Sequence, residues 1–190
     1  MKILLLDNYD SFTYNIAHYL REITGDEIPV VRNNQIGLVD IDAFDAIVLS
    51  PGPGLPADAG IMQDLIRKYA PVKKILGICL GMQAIGEVFG GTLLNLPSVF
   101  HGVATTVTTT VSDEILFKGL PEKMEVGRYH SWVVDEKSLP SCLEITAVDQ
   151  SGRIMALRHK QYDVRGVQFH PESVLTPLGK RMISNWLQKL

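Results

Sequence analysis

Short apolar runs alternate with amphipathic stretches through the first half of the chain, and this order restricts the possible folds more than any other feature. Apolar runs of this length, closed by turn-forming residues, are typical of buried strands. The stretches between them carry apolar residues every three or four positions, as helices do. We predict strands over residues 2–6, 28–31, 43–49 and 74–78. Their β-α-β-α order predicts a parallel sheet with helices on both faces.

The second half of the chain is rich in Val and Thr, which suits further strands. We predict these strands over residues 101–111, 124–134, 143–148, 154–158 and 164–169. Turn signals such as Ser151-Gly152 separate some of them, so a mixed extension of the sheet is expected. The predicted fold is therefore flavodoxin-like α/β, with a mixed, mostly parallel sheet. Because no internal repeat or linker interrupts the pattern, we predict a single domain over residues 1–190.

Capping residues mark the boundaries of the first and last helices. Asp10 or Ser11 can cap the first helix, which should end near Gly25. Thr176 and Pro177 together predict the start of the final helix, with Thr as N-cap and Pro at the first helical position. The predicted apolar face of this final helix consists of Leu178, Met182, Ile183, Trp186, Leu187 and Leu190.

Charge and cysteine content argue against several classes of function. The 18 Lys and Arg are scattered and the net charge is −3, whereas nucleic-acid binding relies on concentrated positive charge. No apolar run approaches the ~20 residues of a membrane span, and the N-terminal run is too short for a signal peptide. Cys79 and Cys142 have neither the spacing of a zinc site nor a disulfide framework. We expect a cytoplasmic protein with free thiols, no metal, and neither nucleic acid nor membrane as partner.

The most informative stretch is KILGICLG, in which a predicted strand leads directly into a helix through Cys79. On its own, a cysteine after a strand is more often a core residue. Gly77 and Gly81, however, flank it at two residues on either side, and glycines there permit a sharp strand-to-helix turn. Such a turn points the side chain at a pocket and places it near a helix N-terminus, where thiolate is favoured. Cys79 is therefore a candidate nucleophile, while Cys142 fits a core position.

A nucleophilic thiol requires a base and a group that orients the base. His170 ends an apolar run and is followed by Pro171 and Glu172. In an extended segment, residues i and i+2 point the same way, so Glu172 could contact His170 and fix its tautomer. We interpret His18, in mid-helix, and His159, in a charged and exposed stretch, as having no catalytic role.

A third element is the segment Ser50-Pro51-Gly52-Pro53-Gly54 after the third predicted strand. Its prolines stiffen the loop while its glycines leave backbone N–H groups approachable, as an oxyanion hole requires. A lone PGPG is usually only a turn. Because all three elements fall at predicted strand ends, together they favour a Cys–His–Glu hydrolase.

GICLGMQ, SPGPGLP and FHPES, in this order and spacing, resemble the motifs of class I (triad) glutamine amidotransferases. DNYDSFTYN and GRYHSWVV narrow the resemblance to the amidotransferase subunits of anthranilate synthase and of 4-amino-4-deoxychorismate synthesis. The resemblance covers essentially the whole chain. It implies glutamine as substrate, and ammonia passed to a separate chorismate-using synthase subunit. It implies no cofactor in this chain, whereas the partner subunit is expected to need Mg²⁺.

The resemblance also implies roles for single residues. Cys79 would form a glutamyl thioester, His170 would transfer protons, and Glu172 would orient His170. The backbone N–H groups of Gly52 and Leu80 would form the oxyanion hole. The implied glutamine-binding residues are Gly52, Pro53, Gly54, Gln83, Ser131 and Trp132. Taken alone, Gln83 fits an exposed helix residue and Ser131 a loop hydroxyl.

Two segments depart from the family pattern. Trp132 stands where the family usually has Leu, which is tolerable if this position acts mainly through its backbone. Val103 and Ala104 follow His101-Gly102 where many relatives carry Lys and then Ser. These two residues lie outside the triad motifs, so we expect the change to affect partner contacts or regulation more than hydrolysis.

Two other kinds of protein would share parts of this pattern. A cysteine hydrolase outside the amidotransferases would share the Cys79 turn but gives no reason for Gln83 together with YHSW. A receiver module needs an acceptor Asp at the end of the third strand, where this chain has Ser50-Pro51. A flavodoxin needs a phosphate-binding Ser/Thr-Gly loop after the first strand, where this chain has DNYDSF. The sequence thus favours the amidotransferase and does not distinguish the two chorismate pathways.

Overall fold

A computed structural model describes residues 1–188, with helices and strands alternating in the first half and strands dominating the second. In chain order, the elements are β1 (Ile3–Asp7), α1 (Thr13–Thr24), β2 (Val30–Arg32), β3 (Ala46–Leu49), α2 (Met62–Tyr69), β4 (Lys74–Ile78), α3 (Leu80–Val88), β5 (Leu93–Asn95), β6 (Val103–Thr109), β7 (Lys123–Arg128), β8 (Trp132–Val134), β9 (Leu143–Asp149), β10 (Ile154–His159), β11 (Val164–Val167) and α4 (Gly179–Leu187).

A mixed sheet forms the centre of the molecule, with strand order β2-β1-β3-β4-β11-β10-β9-β6-β7. The strands from β2 to β11 run parallel, and those from β10 to β7 pair antiparallel. The predicted mixed, mostly parallel α/β sheet is confirmed. Strand β11 is the link between the halves, since it pairs in parallel with β4 and in antiparallel with β10.

The strand side chains alternate between two hydrophobic cores, one on each face of the sheet. In β1, Ile3 and Leu5 join the core that contains α1 and α4, whereas Leu4 and Leu6 join the core that contains α2 and α3. All four are nearly inaccessible to solvent. This two-sided burial explains why the parallel strands are continuous apolar runs in the sequence.

Because β1, β3, β4 and β11 are parallel neighbours, their carboxyl ends lie along one edge of the sheet. The segments that follow these strands begin with Asn8, Ser50, Cys79 and Gln168. Ligands of open α/β sheets bind at this edge. The topology therefore brings together loops that are far apart in the sequence.

The last helix begins later than predicted. Its first residue is Gly179 and Leu178 is its N-cap, so the prediction of Thr176 as N-cap was wrong. The Thr176 hydroxyl instead donates to the carbonyl of His170 at 2.6 Å and accepts from the N–H of Gly127 at 2.9 Å. Of the predicted apolar face of this helix, Leu190 lies outside the described residues.

The first helix also begins later than its predicted caps. It starts at Thr13 after Phe12, and neither Asp10 nor Ser11 caps it. Asp10 instead accepts from the N–H of Phe12 at 2.7 Å. The predicted end is confirmed, because Gly25 has φ 74° and its N–H donates to the carbonyl of Arg21.

Residues 124–134 form two strands rather than the single strand predicted. After Arg128 the chain leaves the main sheet, and β8 pairs with β5 in a separate two-stranded sheet. Strand β5, from Leu93 to Asn95, was not predicted. The segment between β7 and β8, Tyr129 to Ser131, is thereby directed to the edge where the parallel strands end.

His159 is buried, so its predicted exposure was wrong. Its ring stacks on Tyr162 at 4.2 Å between centroids, and its Nδ1 accepts from the N–H groups of Gln161 and Tyr162. These contacts close the turn after β10, which is a structural role.

Within residues 1–188, no helix is long and apolar enough to cross a membrane.

Candidate active site

Cys79 lies on a strained turn between β4 and α3. Its backbone has φ 52° and ψ −101°, a region that residues other than glycine rarely adopt. The N–H of Cys79 donates to the carbonyl of Val167 at 2.8 Å, which ties the turn to the end of β11. Leu80 is the first residue of α3, so its N–H has no acceptor within the helix. The predicted sharp turn is thus present, with the thiol at a helix N-terminus.

Gly77 and Gly81 are required by close packing in this turn. A Cβ atom on Gly77 would lie 2.5 Å from the backbone carbon of Gly81. A Cβ atom on Gly81 would lie 2.7 Å from the carbonyl oxygen of Leu49. Since real Cβ atoms do not approach other atoms this closely, any side chain at either position would displace the turn.

His170 and Glu172 form a buried pair after β11. Nδ1 of His170 lies 2.6 Å from Oε1 of Glu172, and both side chains are almost fully buried. The contact was predicted, but the predicted extended geometry was wrong. Residues 170–173 form a turn closed by the N–H of Ser173, which donates to the carbonyl of His170. The turn brings the carboxylate against Nδ1 of the ring and keeps a proton on that nitrogen.

The charge state of His170 depends on its two neighbours. Burial alone would lower the pKa of the imidazole, but interactions with Cys79 and Glu172 outweigh it and raise this pKa from 6.5 to about 10. Nε2 of His170 has no well-formed hydrogen bond within the described residues, so Cys79 raises this pKa through a looser contact and through the negative charge of its thiolate form. Catalytic contacts are often long in the absence of substrate. His170 therefore carries its proton at neutral pH.

The loop after β3 is held against the turn by Asn8. The N–H of Asn8 donates to Oγ of Ser50 and its side-chain amide donates to the carbonyl of Ser50, both at 2.8 Å. Gly52 packs so closely that a Cβ atom there would lie 2.5 Å from the carbonyl oxygen of Asn8 and 3.0 Å from a methyl group of Leu80. The two backbone N–H groups predicted for an oxyanion hole thus belong to residues in contact.

A cavity of about 200 Å³ opens beside Cys79. It brings together all six residues predicted to bind glutamine. Its lining consists of Gly52, Pro53, Gly54, Cys79, Gln83, Val99, Phe100, His101, Tyr129, His130, Ser131 and Trp132. Leu80, His170 and Glu172 are not part of this lining. Leu80 directly follows Cys79 as the first residue of α3. The ring of His170 packs against Tyr129, which is part of the cavity wall.

Gln83 is buried, so its interpretation as an exposed helix residue was wrong. Its Nε2 donates to the carbonyl of Trp132 at 2.8 Å and lies 3.3 Å from Oε1 of Gln168. The side chain of Trp132 is half-buried and lines the cavity, while its carbonyl accepts this hydrogen bond. The contact with Gln83 is thus made by the backbone of residue 132, which a Leu at this position would supply as well.

Gln168, Phe12 and Tyr129 contact Cys79 or His170 but were not predicted to be part of the site. Gln168 places its Nε2 3.5 Å from Sγ of Cys79. Phe12 and Tyr129 pack on the ring of His170, with centroids 5.4 and 4.8 Å away. The signal for Gln168 was available, because it stands two residues before His170 at a strand end. The positions of both aromatic rings follow only from the tertiary fold.

His130 lines the cavity as a neutral imidazole. Burial, followed by the positive charge of Arg128, lowers the pKa of His130 from 6.5 to about 3. Its Nδ1 lies 3.0 Å from the carbonyl of Trp132, and its Nε2 accepts from Nε of Arg128 at 3.1 Å. The site therefore holds two histidines whose pKa values are shifted in opposite directions.

A family model for "Glutamine amidotransferase class-I" matches residues 4–190. The chain belongs to this family. The amidotransferase is 46% identical over 189 residues to aminodeoxychorismate synthase component 2 of Escherichia coli K12, covering 98% of this chain and 100% of that protein. It is 42% identical over 188 residues to aminodeoxychorismate/anthranilate synthase component 2 of Bacillus subtilis 168, covering 98% of this chain and 95% of that protein.

A solved structure agrees with the fold of the amidotransferase. A GMP synthase-like protein of Thermoplasma acidophilum superposes with a TM-score of 0.87 at 28% identity, covering 98% of this chain and 92% of that one. The sequence-based identification of the family and the predicted fold are both confirmed.

The opposite pKa shifts of the two buried histidines predict distinct titrations by nitrogen NMR on selectively labelled protein. His170 should stay protonated on both ring nitrogens through pH 9 and lose a proton near pH 10, because its pKa is raised to about 10. His130 should stay neutral above pH 4, because its pKa is lowered to about 3. Since the folded-state pKa of His170 is raised, its interactions with Cys79 and Glu172 stabilise the fold below pH 6.5, and this contribution disappears as pH rises through 10.

The control for this titration is Glu172→Gln, which removes one of the groups that raise the pKa of His170. Its pKa should then fall while the titration of His130 stays unchanged. A common midpoint near 6.5 for both histidines would contradict the opposite shifts.

Proposed function

We propose that this amidotransferase hydrolyses glutamine through a thioester on Cys79 and supplies the ammonia to a chorismate-using synthase subunit. The observation that carries the proposal is the convergence of Cys79 with the 2.6 Å His170–Glu172 pair beside a cavity of about 200 Å³. The family assignment supplies glutamine as the substrate. The two relatives are component 2 of aminodeoxychorismate synthase and component 2 of aminodeoxychorismate/anthranilate synthase, and this supports the proposed acceptor.

The first half of the proposed reaction forms the thioester. The thiolate of Cys79 attacks the carboxamide carbon of glutamine, and the carbonyl oxygen becomes an oxyanion. The N–H groups of Gly52 and Leu80 donate to this oxyanion, since fixed donors stabilise developing charge without reorganising. His170 then transfers its Nε2 proton to the departing nitrogen. The C–N bond breaks, ammonia leaves, and His170 becomes neutral.

The second half of the reaction releases glutamate. Neutral His170 takes a proton from water, and the resulting hydroxide attacks the thioester carbon. The C–S bond breaks, which regenerates the thiolate of Cys79 beside protonated His170. Glu172 keeps Nδ1 of His170 in place through both proton transfers, because it accepts that N–H at 2.6 Å.

The substrate's amino-acid end would lie in the cavity formed by the other predicted residues. Gly54, Pro53, Gln83, Ser131 and Trp132 surround the space next to Cys79. The Ser131 hydroxyl and the side-chain oxygen of Gln83 are the polar groups suited to the α-carboxylate and α-ammonium of glutamine. Their role in binding is part of the proposal.

A partner subunit follows from the chemistry of ammonia and from the surface of the site. Ammonia is mostly ammonium in water at neutral pH and is then not nucleophilic, so it must pass directly to an acceptor site. Val99, on the cavity wall, and Val174, next to Ser173, are 72% and 92% exposed. We propose that the synthase subunit covers them.

The acceptor pathway is either that of anthranilate or that of 4-amino-4-deoxychorismate, or both. The relatives carry both names, and one carries the two together. We propose that this chain needs no cofactor of its own and that the partner subunit requires Mg²⁺. A cytoplasmic location agrees with the two cysteines, which are free thiols in the structure.

The thioester proposal predicts that Cys79→Ala abolishes glutamine-dependent product formation in a mixture of this chain, a synthase subunit, glutamine and chorismate. The loss should be about a thousandfold or more, because no other group replaces the nucleophile. Added ammonium salt should restore the product, since the acceptor chemistry belongs to the partner. The product is followed by its fluorescence.

Two variants serve as controls for this assay. Cys142→Ala should retain full activity, because Cys142 packs against the core away from the cavity. His170→Asn should lose glutamine-dependent activity but still bind the synthase subunit, as measured by gel filtration. Full activity of Cys79→Ala, or loss of binding in His170→Asn, would refute the assigned roles.

The identity of the acceptor is decided by the product formed with each type of synthase subunit. Combined with chorismate, glutamine and an anthranilate-type subunit, the chain should yield anthranilate. With an aminodeoxychorismate-type subunit it should yield aminodeoxychorismate. Product with only one of them assigns the pathway, and product with both establishes dual use. Absence of glutamine-dependent product with either subunit would overturn the chorismate assignment.

A further inference from the structure

The orientation of the Gln83 amide is fixed by its hydrogen-bond partners. A carbonyl oxygen can only accept, so the group that faces the carbonyl of Trp132 at 2.8 Å must be the amide nitrogen. The second N–H of this nitrogen is directed at Oε1 of Gln168, 3.3 Å away. Both donors of Gln83 are therefore used within the protein. Its Oε1 is the atom left for the cavity, and it can only accept.

The carbonyl of Trp132 is in turn held by His130. Nδ1 of His130 lies 3.0 Å from this oxygen, and Nε2 lies 3.1 Å from Nε of Arg128. Arginine can only donate, so Nε2 of His130 must be the acceptor and Nδ1 must carry the proton. Arg128 thus selects the one neutral tautomer that donates to Trp132. The same carbonyl receives donors from both His130 and Gln83.

Arg128 is itself immobilised. Its Nη1 donates to Oδ2 of Asp149 at 2.8 Å, and its guanidinium lies 3.7 Å from the centre of the Phe100 ring. The other oxygen of Asp149 accepts from the backbone N–H groups of Ser151 and Arg153. The side chain of Arg128 is only 2% exposed. A buried, paired guanidinium of this kind has little freedom to shift.

We propose that Arg128 and His130 are positioning residues for glutamine recognition, acting through the Trp132 carbonyl to hold Oε1 of Gln83 toward the substrate. This inference rests on the proposed glutaminase function and adds residues to which that function assigns no role. The held oxygen requires a donor, and glutamine offers two: its carboxamide N–H groups and its α-ammonium. Without His130, the Trp132 carbonyl and the Gln83 amide lose their fixed orientation, and substrate binding weakens.

The protonation state of His130 agrees with this role. A second proton on the ring would place a cation against Arg128 and remove the acceptor that Arg128 uses. Burial and the charge of Arg128 lower the pKa of His130 to about 3, so the neutral ring persists throughout the working range of pH. The arrangement is therefore constant while His170 exchanges protons.

The test compares His130→Leu, which removes both ring contacts, with His130→Asn, whose amide can still donate to the Trp132 carbonyl. The matched control is His159→Leu, because His159 is also buried but contacts Gln161, Tyr162 and Phe89 instead of the cavity. The readout is the rate of Cys79 alkylation by iodoacetamide at increasing glutamine, together with KM and kcat in the coupled reaction with the synthase subunit.

His130→Leu should raise the glutamine concentration for half-protection, and KM, by about tenfold, the effect of one lost hydrogen bond of ordinary strength. Its kcat and its alkylation rate without glutamine should change far less. His130→Asn should recover most of the loss, and His159→Leu should bind glutamine as the wild type does. If His130→Leu fails to fold, His130→Gln takes its place, because the amide of Gln is displaced from the position of Nδ1. KM for glutamine should then be about tenfold higher in His130→Gln than in His130→Asn.

The possible contrary results distinguish an error in the proposed function from an error in the positioning role of His130. Absence of protection by glutamine in the wild type would overturn the proposed function and this inference with it. Protection in the wild type with an unchanged KM in both His130 variants would overturn the positioning role alone. Equal rises in KM for His130→Leu and His159→Leu would also overturn it, since they would show a general effect of lost stability.

Discussion

The strained backbone of Cys79 is the constraint on which the rest of the site depends. A non-glycine residue at φ 52° costs on the order of 1–3 kcal/mol, so the surrounding structure must hold it there. Gly77 and Gly81 permit close contact across the turn, and the carbonyl of Val167 accepts the N–H of Cys79. Because of this backbone conformation, the thiol lies beyond the end of β4, at the start of α3. The same turn leaves the N–H of Leu80 available as a donor.

The parallel strands position the other segments that surround the Cys79 turn. Because β1, β3, β4 and β11 end at one edge, Asn8, Gly52, Cys79 and His170 lie in neighbouring segments although the chain separates them widely. Asn8 secures the loop that carries Gly52, and the turn after β11 presents His170 with Glu172 beneath it. The antiparallel half contributes the remaining wall through Tyr129 to Trp132. The cavity beside Cys79 is thus built from segments of both the parallel and the antiparallel half of the structure.

The sequence pattern predicted correctly those features that depend on residues adjacent in the chain. The bounds of β4 were predicted correctly, and the glycines around Cys79 indicated its turn, since both depend on residues adjacent in sequence. His159 and Thr176 were misinterpreted because each has a partner from a distant part of the chain. The ring of Phe89 packs against His159, and the N–H of Gly127 donates to the hydroxyl of Thr176. The interruption of the predicted strand after Arg128 could not be predicted for the same reason. Its cause is the pairing of β8 with β5, which a run of apolar residues does not reveal.

The central claim, that Cys79 is the covalent nucleophile, is tested most directly by mass spectrometry of the chain quenched in acid during glutamine turnover with its synthase subunit. We expect a fraction of the protein to carry one added glutamyl group, located on the peptide that contains Cys79 and removed by hydroxylamine, as a thioester is. Cys142 provides an internal reference and should remain unmodified. Glutamine consumption without this adduct in Cys79, or an adduct on Cys142 instead, would contradict the mechanism.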